Sequence, residues 1–364
     1  MDQKLIDKLK IRKSEGTLRS LSCFDGFVDF YSNDYLGLAN VSVEDIISIH
    51  SGATGSRLIS GNSKEAESCE RTLADFFNSE AALVFNSGYD ANVGLFSAVL
   101  QRGDTILYDE AIHASVRDGI RLSFASAYSF EHNSLNDLRL KLERAKGTIY
   151  IAVESLYSMN GDLCPLVEIA KLANEFNAYL IVDEAHSGGV FGTSGRGLVE
   201  ELKLEKSVFA RLITFGKAYG FHGAVVLGSQ NLKDFLINFS RSFIYTTALP
   251  PSDYTAIKQK VTDTSITQLQ NELQENIRFF NSNTPKVQRK SDARSPIQMV
   301  EVGDIHKTQE IVSELQKRNI AVKPIFSPTV KVGEESLRIC IHAFNTKEDI
   351  RLVCSVLNKW SEIQ

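Results

Sequence analysis

Apolar residues in the middle of this 364-residue chain come in short unbroken runs, separated by longer stretches with helical spacing. The runs Ala81 to Phe85, Thr105 to Tyr108, Thr148 to Val153, Tyr179 to Val182, Leu212 to Phe215 and Ala224 to Leu227 read as strands. Between them, Lys64 to Phe77, Val93 to Leu100, Ser115 to Ser123 and Leu166 to Phe176 repeat apolar residues with the period of a helix, the last placing Ile169, Leu172, Ala173 and Phe176 on one face. A strand that is apolar at nearly every position has both of its faces covered. The pattern therefore predicts an α/β fold, a mostly parallel central sheet wrapped by helices.

The ends of the chain have another texture. Residues 1 to 22 read as an amphipathic helical arm with Leu5, Ile6, Leu9 and Ile11 along one side, and Phe27 to Tyr31 as a short edge strand. Beyond about residue 235, a polar helical stretch from Ala256 to Asn281 leads into strands at Ile297 to Val302, Ile320 to Lys323 and Ser336 to Ile341, with helices at Lys307 to Arg318 and Lys347 to Glu362. This reads as a smaller C-terminal α+β domain. The expected division is an arm over 1–36, a large domain over 37–264 and the small domain over 265–364.

Polar residues collect at the carboxyl ends of the predicted strands: Glu154 and Ser158 after one, Asp183, Glu184 and His186 after another, Thr214 and Lys217 after a third. Ligands of open α/β sheets bind beyond those ends. Lys217 follows an apolar run and precedes Gly220 and Gly223, and a partly desolvated lysine there is suited to act as an amine that condenses with an aldehyde. Asn86-Ser87-Gly88-Tyr89 joins a strand to a helix, the arrangement that offers backbone N–H groups to a phosphate. Gly216-Lys217 is not a nucleotide-binding phosphate loop, because such a loop needs glycine where Arg211 stands and a hydroxyl where Ala218 stands. Gly192 to Gly197 lacks the dinucleotide order of glycines. Arg338 interrupts a strand otherwise suited to burial, and a buried arginine calls for an anion, a substrate carboxylate or a structural acid.

Composition narrows the class. Hydrophobic residues at 43% and charged residues at 23% are globular values. A net charge of -5 gives no reason to expect nucleic acid or an anionic membrane as partner. The five cysteines are scattered, which argues against a metal site or a disulfide framework. The first residues alternate charge with apolar side chains, unlike a secretory or transit peptide, and no apolar run is long enough to cross a bilayer, so a cytoplasmic protein is expected.

Several strings then carry a resemblance: Ser-Asn-Asp-Tyr-Leu-Gly-Leu at 32–38, Gly-Ser-Arg-Leu-Ile-Ser-Gly-Asn at 55–62, Asn-Ser-Gly-Tyr at 86–89, His-Ala-Ser at 113–115, Glu-Ser-Leu-Tyr-Ser-Met-Asn-Gly-Asp at 154–162, Val-Asp-Glu-Ala-His at 182–186, Thr-Phe-Gly-Lys at 214–217 and Ile-Tyr-Thr-Thr-Ala-Leu-Pro-Pro at 244–251. In this order, over nearly the whole chain, they resemble the α-oxoamine synthases, acyltransferases dependent on pyridoxal 5'-phosphate with fold type I, the aspartate aminotransferase-like transferase fold.

The resemblance implies that Lys217 carries the cofactor aldehyde as a Schiff base and later serves as base. It implies that Asp183 pairs with the pyridinium nitrogen, that His113 stacks on the ring, and that His186 meets the ring hydroxyl with Glu154 and Ser158 nearby. Ser87, Gly88, Tyr89 and Thr214 would serve the phosphate. Members are homodimers with shared active sites, so Thr246 or Thr247 would reach the phosphate held by the partner subunit. Arg19, Asn33, His113, Thr329 and Arg338 form the substrate side, Arg338 holding the amino-acid carboxylate. The reaction implied is decarboxylative condensation of an amino acid with an acyl thioester, L-alanine with a pimeloyl group in the biotin-pathway branch, delivered by coenzyme A or an acyl carrier protein. Alternatives are the siblings 2-amino-3-ketobutyrate ligase (a glycine C-acetyltransferase), 5-aminolevulinate synthase and serine palmitoyltransferase, or an aminotransferase of the same fold.

Overall fold

The computed structural model describes residues 2–14, 18, 21, 23–43, 51–327 and 329–361. The strands run, in chain order, β1 Val28–Asp29, β2 Ala81–Phe85, β3 Thr105–Asp109, β4 Ser126–Phe130, β5 Ile149–Glu154, β6 Tyr179–Asp183, β7 Ala210–Thr214, β8 Ala224–Gly228, β9 Ile297–Glu301, β10 Ile320–Ala321, β11 Lys323–Ile325 and β12 Ser336–Cys340. By their internal contacts, residues 33–158 and 162–273 form one unit, and residues 1–32, 159–161 and 274–364 form another. The first 32 residues thus group with the C-terminal region, and the division near residue 273 falls within helix Ile266–Asn283.

The larger unit holds a seven-stranded sheet in the order β2-β8-β7-β6-β5-β3-β4. From β7 to β4 every neighbouring pair is parallel, while β8 runs antiparallel to both β7 and β2. The central strands are buried along almost their whole length, because helices such as Gly88–Val99 and Leu166–Glu175 cover the sheet and remove its alternation of apolar and polar positions. Leu83, Leu95, Phe96, Ile106, Val116, Ile181, Leu212 and Val226 belong to one continuous core cluster. Asparagines at positive φ end three helices: Asn78 (53°), Asn177 (51°) and Asn319 (57°). Asparagine tolerates that left-handed conformation better than most side chains, so each stops its helix without a glycine.

The sequence pattern did not predict strand β4, helix Leu135–Leu142 or helix Gln230–Phe239. In β4 the first four residues are exposed and the strand pairs on one side only, so it carries neither an apolar run nor a clean alternation.

In the smaller unit, β9, β12 and β11 form an antiparallel sheet in the order β11-β12-β9, and β1 pairs in parallel with β10 over two residues. The run expected as one strand from Ile320 to Lys323 is two short strands in different sheets, β10 and β11. Helix Gln3–Ser14 forms where the arm was expected, with none of its residues buried. Among the described residues no helix is long and apolar enough to cross a membrane, and no group of side chains is suited to hold a metal.

Candidate active site

Three adjacent parallel strands deliver the polar groups. Glu154 ends β5, Asp183 ends β6 directly opposite it in the ladder, and Thr214 ends β7, with Lys217 following in the turn that leads to β8. A cavity of about 160 Å³ opens beyond these ends. It is lined by Gly88, Tyr89, Asn92, His113, Ser115, Glu154, Asp183, Ala185, His186, Leu212, Thr214 and Lys217.

Asp183 is buried, and its carboxylate accepts from the Asn92 side-chain amide at 2.8 Å and from the Ala185 backbone N–H at 2.9 Å. The same Asn92 nitrogen donates to Ser115 Oγ at 3.0 Å. His113 caps helix Ala114–Arg121: its Nδ1 accepts the Ser115 backbone N–H at 3.2 Å and lies 2.7 Å from Ser115 Oγ. Burial pushes the His113 imidazole below its usual range, against the opposing pull of Asp183, and Lys217 adds to the downward push.

Glu154 accepts the backbone N–H of His113 at 2.6 Å and that of Ser158 at 3.2 Å. Burial first, and then the neighbouring Asp183 carboxylate, push its carboxyl up to about 8 despite Lys217 and those two donors. Two carboxyls side by side in a low dielectric cannot both ionise easily. Glu154 is therefore inclined to hold its proton.

The other wall is the start of helix Gly88–Val99. Ser87 caps it by accepting the Asp90 N–H at 3.1 Å and donates its own proton to Asp90 Oδ2 at 2.8 Å. A Cβ on Gly88 would meet only Thr214, at 3.5 Å, so the glycine leaves open room over the helix end. His186 Nδ1 lies 2.8 Å from the Tyr35 hydroxyl, which donates to Asn33 Oδ1 at 3.1 Å. That link brings the loop at 32–38 to the site.

Of the residues singled out from sequence, Lys217, Asp183, His113, His186, Glu154, Thr214, Gly88 and Tyr89 share this one cavity. Ser158 is bonded to lining Glu154, Ser87 caps the helix that begins at lining Gly88, and Asn33 reaches lining His186 through Tyr35. Thr246 and Thr247 do not line it; both are bonded to the Asn86 amide, Thr246 through its hydroxyl at 3.4 Å and Thr247 through its carbonyl at 2.8 Å. Thr329 and Arg338 belong to the other unit, Thr329 exposed and Arg338 buried on β12 with Nη1 donating to Cys340 Sγ at 3.0 Å. Arg19 lies outside the described residues. Sequence reasoning missed Tyr35, Asn92 and Ser115. The available signal was a polar residue at 92 on a helix otherwise packed through Ala91, Leu95 and Phe96.

The chain matches the profile of the aminotransferase class I and II family over residues 25–357. It is 38% identical to the 8-amino-7-oxononanoate synthase of Emericella nidulans, over 92% of this chain and 89% of that one. Its fold resembles the serine palmitoyltransferase of Sphingomonas wittichii (TM-score 0.90, 26% identity, covering 100% of this chain and 97% of that one). It also resembles the 8-amino-7-oxononanoate synthase of Francisella tularensis (TM-score 0.81, 30% identity, covering 93% and 99%). With its strand-end lysine and buried carboxylate in one cavity, the chain belongs to the aminotransferase class I and II family, in the α-oxoamine synthase branch, and is a pyridoxal 5'-phosphate-dependent acyltransferase.

Proposed function

We propose that this enzyme condenses L-alanine with a pimeloyl thioester to give 8-amino-7-oxononanoate, carbon dioxide and the free thiol. The observation that carries the reading is the 38% identity to an enzyme of that name together with the conjunction of Lys217, Asp183 and His113 in one cavity. The substrates follow from the product's skeleton. Its C8 amino carbon and C9 methyl are those of alanine after loss of the carboxylate, and C1 to C7 are a seven-carbon dicarboxylic acyl group.

The residues suit the cofactor group by group. Lys217 offers an amine for the aldehyde, Asp183 a carboxylate for the ring nitrogen, and the backbone N–H groups of Gly88 and Tyr89 with the Thr214 hydroxyl suit a phosphate dianion. When bound, pyridoxal 5'-phosphate withdraws electrons from the amino-acid α-carbon, so that a bond to that carbon can break heterolytically. Asp183 would keep a proton at the ring nitrogen, which would sustain that withdrawal. The Lys217 amine would take the proton from the α-carbon of the bound amino acid and return one after carbon dioxide has left. His113 would cover one face of the ring and exclude water, and His186 would hydrogen-bond the ring hydroxyl.

The substrate carboxylate is assigned to Arg338, with Arg19, Asn33 and Thr329 completing the substrate side. The working unit is proposed to be a cytoplasmic homodimer in which Thr246 or Thr247 reaches the phosphate held by the partner. Exposed Leu58, Ile59 and Tyr245, on the loops that carry two of the family strings, support an interface between copies.

The test is to supply L-alanine, glycine or L-serine with pimeloyl coenzyme A or pimeloyl acyl carrier protein and to measure carbon dioxide and product mass. Release of carbon dioxide and an eight-amino keto acid with alanine alone is expected. Turnover only with glycine or serine would assign the enzyme to a sibling, as the high TM-score to a serine palmitoyltransferase would favour for serine. Transfer of the amino group without carbon dioxide would make it an aminotransferase.

A further inference from the structure

Asn92 is 3% exposed on helix Gly88–Val99, and Ser115, its partner, is 1% exposed. A carboxylate can only accept, so the Asn92 amide must turn its NH2 group toward Asp183, and with Ser115 Oγ as second acceptor both of its protons are used. Asn92 Oδ1 is left buried without a partner among the described residues. Such an orphan costs about 1–3 kcal/mol, so packing alone does not account for an asparagine at this position.

Direction continues past Ser115. Its backbone N–H can only donate, and it points at His113 Nδ1, so the neutral ring carries no proton there. Ser115 Oγ accepts from Asn92 and is free to give its own proton to the same Nδ1. The ring proton is therefore on Nε2, on an imidazole that lines the cavity.

We propose that Asn92 and Ser115 are positioning residues: the Asn92 amide gives one proton to the Asp183 carboxylate and the other to Ser115, whose hydroxyl donates on to His113, holding His113 as a neutral ring with its proton on Nε2. The inference rests on the cofactor assignment made above. An imidazolium over a protonated pyridinium would set two positive charges face to face, and the chain of donors opposes it while keeping Asp183 supplied with a donor. The titratable groups around His113 are Asp183 from β6, Glu154 from β5, Lys217 from the turn after β7 and Asp118 from its own helix. Asp183 and Asp118 favour the protonated ring, whereas burial and Lys217 oppose it. Removing Asn92 leaves Asp183 less shielded and frees Ser115 Oγ to accept from Nδ1, and both changes raise the His113 titration midpoint.

The experiment is imidazole nitrogen NMR on the cofactor-loaded enzyme with labelled histidine, the His113 signals being identified as those missing from His113→Gln. The wild type should show the Nε2–H pattern at neutral pH. Asn92→Ala and Ser115→Ala should each raise the midpoint by about one unit, and the double variant no further than the larger single shift, because one chain is broken either way. Ser115→Thr should restore the wild-type midpoint. An Nδ1–H pattern in the wild type, unmoved midpoints in variants that still load cofactor, or fully additive shifts would overturn the proposal. Cofactor loading on Lys217 is measured in the same samples. If the wild type fails to load, the cofactor assignment falls, and the tautomer is read on the unloaded protein, where the same contacts predict Nε2–H. Should Asn92→Ala not fold, Ser115→Ala, which removes a single hydroxyl, carries the measurement.

Discussion

Gly220 and Ala39 meet backbone to backbone: a Cβ on Gly220 would overlap the Ala39 nitrogen and the Leu38 carbonyl carbon. Gly220 also sits at φ +62°, and its N–H donates to the Lys217 carbonyl at 2.8 Å, closing the turn that carries the lysine. The loop at 32–38, which bonds His186 through Tyr35, therefore leads into chain packed directly on that turn. Gly220→Ala combines a left-handed conformation with a backbone overlap that no side chain can relieve. It should cost at least about 3 kcal/mol and weaken cofactor retention, measured as a lowered thermal midpoint and faster loss of cofactor on dialysis.

How much of this was legible depended on what each residue touches. β5, β6 and β7 were readable because burial on both faces turns each into an apolar run, and the polar residue that ends a run then stands out. Strand β4 gave no such run, since its single neighbour leaves it at the edge. Lys217, Asp183 and Glu154 were found through their strand ends. Asn92 and Ser115 were not, because the role of Asn92 lies in a bond to Asp183, 91 residues away along the chain, and that of Ser115 in a bond to Asn92, 23 residues away, which no local period reports. For Gly220 the sequence showed a glycine but not its cause, a loop near the other end of the unit.

Lys217→Ala should abolish trapping of cofactor by borohydride at the peptide containing position 217. If the amine also moves the α-proton, turnover should fall by about 10²–10⁴-fold. Peptide mass analysis after reduction and single-turnover rates separate the two roles. Label at another lysine would refute the assignment.

Glu184 and Arg211 form a buried ion pair beside Asp183. Arg211 donates through Nε at 2.8 Å to Glu184 Oε2, which also lies 2.7 Å from Nη2, while Nη1 donates to the Phe77 carbonyl and Nη2 to the Arg196 carbonyl. The other carboxylate oxygen accepts from Ser187 and from the Val199 N–H, each at 3.0 Å. Every group is satisfied, so removing one partner strands a buried charge. Arg211→Met should destabilise by about 3–5 kcal/mol, and Arg211→Met with Glu184→Leu should recover much of that. Chemical denaturation of both variants and the wild type checks it; equal stability of the single and double variants would exclude the stranded charge as cause.

His132 is held between two carboxylates, Nδ1 at 2.9 Å from Asp109 and Nε2 at 2.7 Å from Asp162, with its ring and that of Tyr157 packed at right angles. Burial on its own pushes the imidazole down, but the hydrogen bonds to Asp109 and Asp162 outweigh it and push it up to about 10. Because this folded value lies above the unfolded value of about 6.5, the stabilisation is complete below that pH. It is lost as pH rises from there through about 10, where the folded imidazole gives up its proton. Glu154, pushed up to about 8, adds a decline of its own that begins in the acid range and ends near that pH, so the informative quantity is a difference. His132→Gln keeps a donor but no charge. It should lower stability by about 3 kcal/mol at neutral pH, with the gap to wild type closing at about pH 10 as His132 deprotonates. Urea unfolding of both proteins at neutral and alkaline pH reads this directly, and a gap that stays constant would show that His132 is neutral in the folded protein throughout.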